Sequence, residues 1–511
     1  MGSEYLLGID IGTLGCRCCI FDRSGRVKGY AYEEYEIESP KPDFAEQDPE
    51  TYWKATNNTI RRALHESEIK REDIVAVGLT GIQVSFILID KKGRCITPSI
   101  IYADVRSRKQ CEWMRDQIGA REIYRITGSR LDPMYPASKL RWVWENQPEK
   151  LKNAFMILSP KDYVGFKFTG YAKMDAAMAS TFQLLDIEKG TWSDKLIQTL
   201  GIPREIFPEL ISSTEILGEI SGEDAKRLGL RKGTPIVIGG GDTTSMAFGA
   251  GLVSEEFVCG SLGTTSNLFG CLTQLRLDEG MRVSYYRHVV PGRYIVIAGT
   301  TDSLALRWYR DTLGYYEVDA GKKAGVSPYK IMDQEAERSP AGARGVILLP
   351  FLTGARSPLW NPDATGVLFG LRYHHKREDI VRAFLESVAY SIRQRIEVIK
   401  GLNLDPKEIR LIGGGAKSRL WNQIISDVTG MTISLLENEE AGVLGASLLA
   451  GIGVGAYKGF EEACEEAVRV RYRHYPKMKD RVAYDEMYKI YEHVYQSLYE
   501  TFKTHIRFTK S

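Results

Sequence analysis

Tyr5-Leu6-Leu7-Gly8-Ile9-Asp10-Ile11-Gly12-Thr13 reads as a short apolar strand, Tyr5 to Ile9, running into a turn that carries a carboxylate, a glycine and a hydroxyl. Residues 16–22 and 26–34 extend it as a hairpin around Arg23-Ser24-Gly25. Near the middle of the chain Glu256 to Cys259 is again a strand, and it enters Gly260-Ser261-Leu262-Gly263-Thr264-Thr265-Ser266-Asn267. Gly-Thr stands at the matching place in both stretches, and a hairpin follows each. An echo at about half the chain length predicts two related units facing each other. Outward from the first turn, Asp48-Pro49 is a helix start, with Trp53, Thr56, Ile60 and Leu64 on one side of the helix that follows. Residues 74–79 and 86–90 read as strands, and helices are predicted at 302–313, 377–401, 416–430, 440–452 and 483–507. Strands alternating with helices place the chain in the α/β class. Tyr488, Tyr491, Tyr495 and Tyr499, at helical spacing in the last helix, read as packing surface.

At 511 residues the chain is too long for one core and predicts two to four. Sixty-eight Lys and Arg nearly cancel 66 Asp and Glu, and a net charge of +2 offers no broad basic field for nucleic acid. A small anion would have to be gripped locally. The apolar run near Ile9 is broken by Asp10 and Arg17, so no membrane or export segment is read there. Eight cysteines are sparse; Cys16, Cys18 and Cys19 crowd a segment that alternates like a strand, with no completing His or Cys cluster for a metal. Reduced structural thiols and a cytoplasmic location are expected.

Four glycine-rich turns carry the chemistry. Backbone N–H groups around Asp10, Gly12 and Thr13 can cradle phosphate oxygens, with Thr13 adding a hydroxyl and Arg17 a cation. Asp10 would repel a bare phosphate and makes sense there as an oxygen ligand, through water, of a bridging Mg²⁺; the bland alternative is a turn whose Asp caps its own backbone. Gly263, Thr264 and Thr265 repeat the same chemistry in the second half. Ile412-Gly413-Gly414-Gly415-Ala416 joins a strand at 409–412 to a helix and lets a flat ring or a phosphate approach the backbone. In Ile238-Gly239-Gly240-Gly241-Asp242-Thr243-Thr244, a carboxylate follows a strand and a glycine run. Phosphoryl transfer to a hydroxyl needs a proton acceptor of little strength, so Asp242 is the candidate base; as an N-cap it would need no chemistry at all.

Together these residues resemble the FGGY carbohydrate kinases of the wider sugar kinase, actin and heat-shock chaperone ATPase superfamily. The resemblance runs over nearly the whole chain, in order: Gly8 to Thr13 with Arg17; Phe44-Ala45-Glu46-Gln47-Asp48-Pro49; Tyr102-Ala103-Asp104-Val105-Arg106; Asp242; Gly263-Thr264-Thr265; Pro350 to Pro358 with Gly366 to Leu371 and Arg382 to Ser387; and Gly413 to Ser418 with Trp421-Asn422. It implies two ribonuclease H-like (actin-like ATPase) domains flanking a deep cleft. Residues 1–253 would bind the sugar and carry the first phosphate motif, and residues 254–511 would bind the nucleotide. It further implies ATP as donor and Mg²⁺ at Asp10. Thr13, Arg17, Gly263, Thr264 and Thr265 would lie on phosphates, Gly414 and Gly415 on the nucleoside, and Asp242 would take the proton. Gln83, Asp104 and Asp242 would partner sugar hydroxyls, and homodimers are common among such proteins. The acceptor is less sharply marked. Ile82-Gln83-Val84-Ser85 and Thr243 depart from the xylulose and glycerol kinase patterns, and Met134 stands where glycerol kinases use Tyr, with Tyr135 adjacent. Arg356 and Pro358 look like the xylulose and gluconate branch. A ketopentose such as D-xylulose is the first expectation, with ribulose, erythritol, arabinitol or gluconate behind it and glycerol last. The other readings are a nucleotide switch on the same fold, which has no need of Asp242 together with the Asp104–Arg106 loop, and a non-catalytic sugar-binding regulator, which intact Asp10 and Asp242 disfavour.

Overall fold

The computed structural model describes residues 4–263 and 265–509. Its first sheet is built from β1 (Tyr5–Ile11), β2 (Gly15–Asp22), β3 (Val27–Glu34), β4 (Ile74–Gly81), β5 (Ile216–Glu219) and β6 (Pro235–Gly241). Their spatial order is β5-β6-β4-β1-β2-β3. β1, β2 and β3 form an antiparallel meander, while β4 and β6 add in parallel to β1. The second sheet uses β7 (Phe257–Leu262), β8 (Ser266–Leu272), β9 (Ser284–Arg287), β10 (Tyr294–Thr300), β11 (Glu408–Ile412), β12 (Thr432–Leu436) and β13 (Val470–His474). It runs β9-β10-β8-β7-β11-β12-β13. Here too a three-stranded antiparallel run, β10-β8-β7, continues into two parallel strands. The short echo read in the sequence is thus an echo of whole-sheet topology. Two ribonuclease H-like units of mixed α/β structure face each other.

The helices that matter for the site are α1 (Pro49–Ser67), α2 (Pro160–Thr169), α3 (Asp242–Gly249), α4 (Arg377–Lys400), α5 (Arg419–Thr429), α6 (Ala441–Gly453) and α7 (Met478–Thr509). Asp48 caps α1 as its sequence suggests, accepting from Glu50 N at 3.0 Å. α6 is apolar or small all round, the pattern of a helix buried on every side. It comes from the second half, yet Val443, Leu444 and Leu448 pack with Leu6, Ala76 and Val237 of the first sheet. There it crosses α3, the helix that leaves the first sheet. The crossing is backbone to backbone. A Cβ added at Gly445 would stand 1.9 Å from Ser245 O, and one at Gly249 1.9 Å from Ala441 O. Only glycine fits at this approach. Three members of the tyrosine stripe of α7 pack, Tyr488, Tyr491 and Tyr495 being buried in the core of the second unit, while Tyr499 is exposed.

Residues between β4 and β5 form a mostly helical extension with its own core around Met114, Leu140, Phe182 and Trp192. It leans on the second sheet: Tyr285 N donates to Gly128 O at 2.8 Å, and the Tyr124 hydroxyl donates to Val283 O at 2.9 Å. Cys16, Cys18 and Cys19 lie buried on β2, and burial pushes the Cys16 thiol up to about 12. Among the described residues no cluster of His, Cys, Asp or Glu could hold a metal by itself, and no helix is long and apolar enough to cross a membrane.

Candidate active site

β1, β4 and β6 end side by side, with Ile11 opposite Gly81 and Gly81 opposite Gly241. Three polar residues therefore gather at one edge: Asp10 on β1, Gln83 just past β4, and Asp242 at the start of α3. Parallel strand ends are where open α/β sheets receive ligands.

Asp10 sits within β1 and does not cap its own turn. Its Oδ2 receives Arg17 Nη1 at 3.5 Å; its Oδ1 is buried and takes no hydrogen bond among the described residues. Burial lifts its pKa to about 7, against the pull of Arg17 and with a further push from Asp242 and Glu440. An ionisable oxygen left unpaired in such a place fits a hard cation better than a packing role. Arg17 lies 3.7 Å from Glu440 at the start of α6 and stacks over Tyr32, with 4.7 Å to the ring centroid. It thereby ties the first turn to the second half. Thr13, beside it, is held through its carbonyl by Gln47 Nε2 at 2.9 Å.

Asp242 is the first residue of α3, whose N-cap is Gly241, so it is not the cap. Thr243 N donates to its Oδ1 at 2.6 Å and the Thr243 hydroxyl at 3.2 Å, while none of the described residues donates to Oδ2. Burial raises its pKa to about 6. One oxygen is anchored and the other is left for a proton. Gln83 is buried against Gly241, its Nε2 2.3 Å from where a Cβ on that glycine would stand, and that amide nitrogen has no partner among the described residues. Asp104 differs from its expected place as a hydroxyl partner. It is fully buried, and its oxygens accept from Ala45 N at 2.7 Å and from Arg106 Nε and Nη2 at 2.9 and 2.6 Å. Those bonds leave no face for a sugar, so Asp104 shapes the loop while Arg106 stacks 3.6 Å from the Phe44 ring centroid.

On the second sheet the β7–β8 turn places Gly263 beside the glycine loop: Leu262 packs where a Cβ on Gly415 would stand. Thr265 is exposed and its hydroxyl accepts from Asn267 Nδ2 at 3.3 Å; Thr264 lies outside the described residues. Gly263, Gly414 and Gly415 line one cavity of about 730 Å³, together with Arg307, Tyr329, Asp333 and Trp421. Burial raises the Asp333 carboxyl to about 6. Trp421 belongs to the glycine-loop motif read in the sequence, while Arg307, Tyr329 and Asp333 went unread. Arg307 lies on the helix Leu304–Thr312 and the other two on the helix Pro328–Ala336; they carry no local motif, and only the tertiary fold brings them to the glycine loop. Tyr286 on β9 was likewise unread. Its hydroxyl lies 3.4 Å from that of Tyr135, it packs with Val84, and the charges of Asp242 and Asp132 act on it.

The description "FGGY family of carbohydrate kinases, N-terminal domain" matches residues 5–249, and its C-terminal counterpart matches residues 258–454. A xylulose kinase of Escherichia coli (strain K12) is 30% identical over 494 residues, 96% of this chain and 99% of that protein. A gluconokinase of Bacillus subtilis (strain 168) is 29% identical over 477 residues, covering 93% and 92%. The crystal structure of xylulose kinase from Rhodospirillum rubrum superposes with a TM-score of 0.89 at 26% identity, covering 98% of this chain and all of that one.

Proposed function

The chain belongs to the FGGY family of carbohydrate kinases, and from that premise we propose that it phosphorylates a ketopentose such as D-xylulose with Asp242 as general base. As a sugar kinase of this family it takes ATP as phosphoryl donor. The observation that carries the finer reading is the pair Asp10 and Asp242, two half-buried carboxylates at the ends of β1 and β6 on either side of β4, each with one oxygen to which none of the described residues donates.

In this reading the halves 1–253 and 254–511 divide the labour between sugar and nucleotide. Arg17 and the amides of the Gly12–Thr13 and Gly263–Thr265 turns hold phosphate oxygens, and Gly414 and Gly415 lie against the nucleoside. Asp242 Oδ2 accepts the proton of the sugar hydroxyl as its oxygen bonds to the γ-phosphorus and the bond to ADP breaks. A base lifted only to about 6 is sufficient because the phosphoryl transition state is loose. Thr243 holds Oδ1, so the other oxygen stays directed. Asp10 would hold Mg²⁺, which supplies charge neutralisation on the phosphates when bound.

Gln83, Tyr135, Tyr286 and Asp132 present an amide, hydroxyls and a carboxylate, a set that suits a neutral polyol. A sugar acid calls for a cation, and the nearby Lys139 is fully buried with its ammonium on Ile101 O at 2.6 Å. This supports a ketose over gluconate. The test is ADP release by the purified protein with xylulose, ribulose, fructose, gluconate, erythritol, arabinitol, ribitol and glycerol. The highest kcat/KM is expected for xylulose; a clear preference for gluconate would overturn the substrate, and turnover with none of the eight would overturn this choice of acceptors.

A further inference from the structure

Beneath the three strand ends lies a charged cluster that phosphoryl transfer does not itself use. Lys161, in the first turn of α2, is fully buried, as are Asp162 and Asp175. Its ammonium donates to Asp162 Oδ1 at 2.5 Å, forms an ion pair with Asp175 Oδ1 at 2.8 Å, and donates to the carbonyl of Ile238 at 3.3 Å. Its Cβ stands 3.2 Å from the place of a Cβ on Gly81, directly under the paired ends of β1, β4 and β6. A buried ion cluster is no efficient source of stability, since apolar groups of the same volume commonly do as well. Its third bond is the informative one.

Ile238 belongs to a bulge. Val237 faces Gly78 across β6 and β4, but Gly240 faces Thr80, so β6 carries one extra residue between them. Gly239 takes it up with φ +67°, its backbone so close to β4 that a Cβ would stand 1.7 Å from Leu79 O. The amides of the bulge turn to a neighbouring segment: Ile238 N donates to Glu215 O and Gly239 N to Ser213 O, each at 3.1 Å. The Ser213 hydroxyl in turn donates to Asp175 Oδ2 at 3.2 Å. Lys161, its ion pair with Asp175, and Ser213 therefore enclose the bulge in a ring of polar contacts, and Asp242 lies four residues past Ile238. Bulges bend a strand and re-aim the side chains that follow.

We propose that Lys161 is a positioning residue for Asp242: by holding the Ile238 carbonyl it fixes the bulge that directs the carboxylate into the cleft. The inference rests on the reading of Asp242 as base. The titratable groups acting on Asp242 from packed elements are Asp10 on β1 and Tyr286 on β9, and both stay in place in the variants below.

Lys161→Met alone would strand two buried carboxylates, so the variant of choice is Lys161→Met with Asp162→Asn and Asp175→Asn. It is compared with wild type and with Asp242→Asn by circular dichroism, ADP release and the pH dependence of kcat. The expected result is a folded variant with kcat lowered by about 10-fold or more, KM for ATP within about two-fold, and a displaced acid limb in kcat. Ser213→Ala removes one bond of the ring and no charge; it should lower kcat in the same direction by about two- to five-fold, which keeps the test open should the triple variant not fold. A folded triple variant, or Ser213→Ala, with wild-type kcat and an unmoved acid limb while Asp242→Asn is dead overturns the role of Lys161 alone. A kcat loss that only tracks the folded fraction does the same. Full turnover by Asp242→Asn overturns the base, and the positioning role with it.

Discussion

Asp242 pays for its place with stability, and that can be measured apart from catalysis. Its carboxyl is raised to about 6 by burial, whereas the unfolded chain titrates near 3.8. The folded protein therefore holds the proton more tightly. The sign follows: there is no penalty below about pH 4, and it grows as pH rises to about 6 and stays constant above. Asp242→Asn mimics the protonated form. It is expected to be more stable than wild type by up to about 3 kcal/mol at pH 8, with the difference gone near pH 3.5, while kcat falls by about 10²–10⁴-fold. Thermal melts at the two pH values, beside ADP-release rates, check both halves; equal melting at pH 8 would mean that the carboxylate is solvated. The acid limb of wild-type kcat should lie near 6 for the same reason, activity falling as pH drops and the base fills. Residues of this kind were readable because carboxylate, glycine and hydroxyl occur together within a few positions. Asp104 misled as a hydroxyl partner because Arg106, two residues on, consumes its lone pairs, and a sequence does not say which way a side chain turns.

Among the helices, α3 and α6 cross backbone to backbone. Gly445→Val would force carbons into the carbonyl of Ser245. Overpacking of this sort costs about 1–3 kcal/mol. Because α3 begins at Asp242, the displacement should lower kcat at temperatures where the variant is still fully folded, which stopped-flow ADP release beside a melting curve would reveal. Activity lost only in step with unfolding would show that the joint matters to packing alone. Element positions were largely legible: residues 377–401 and 440–452 became Arg377–Lys400 and Ala441–Gly453. The start of the helix predicted at 416 was not, because Gly414–Lys417 forms a 3₁₀ turn and Ser418 caps the helix proper. Nor could periodicity tell where α6 would go. A helix apolar on all sides announces burial but not its partner, and its partner here is the sheet begun more than four hundred residues earlier.

At the scale of the molecule the two units meet through α6 on the first sheet and its crossing with α3, the Arg17–Glu440 pair, the contacts of Arg23 and Gly25 with Glu466, Tyr457 and Asn438, and the seam where β9 meets the helical extension. Tyr135 and Tyr286 stand on the two sides of that seam, among the residues proposed to hold the sugar. Tyr286→Ala should raise KM for the sugar by about 10-fold, leave KM for ATP nearly unchanged, and increase ADP release in the absence of sugar, since a looser cleft admits water as acceptor. Steady-state assays with and without sugar decide it; equal effects on both substrates would place Tyr286 away from the acceptor.

The return of α6 to the first sheet also orders events on the ribosome. Strands β1, β4 and β6 are made early, but the helix that covers them is among the last parts to be synthesised, so the opening unit must wait, half-clothed, for its cover. Cutting the gene between the two halves would yield an amino-terminal fragment with a bare apolar sheet, prone to clump with its own copies. In the proposed reading the two lobes divide the chemistry, yet the first is no free-standing module without the helix that the second lends it.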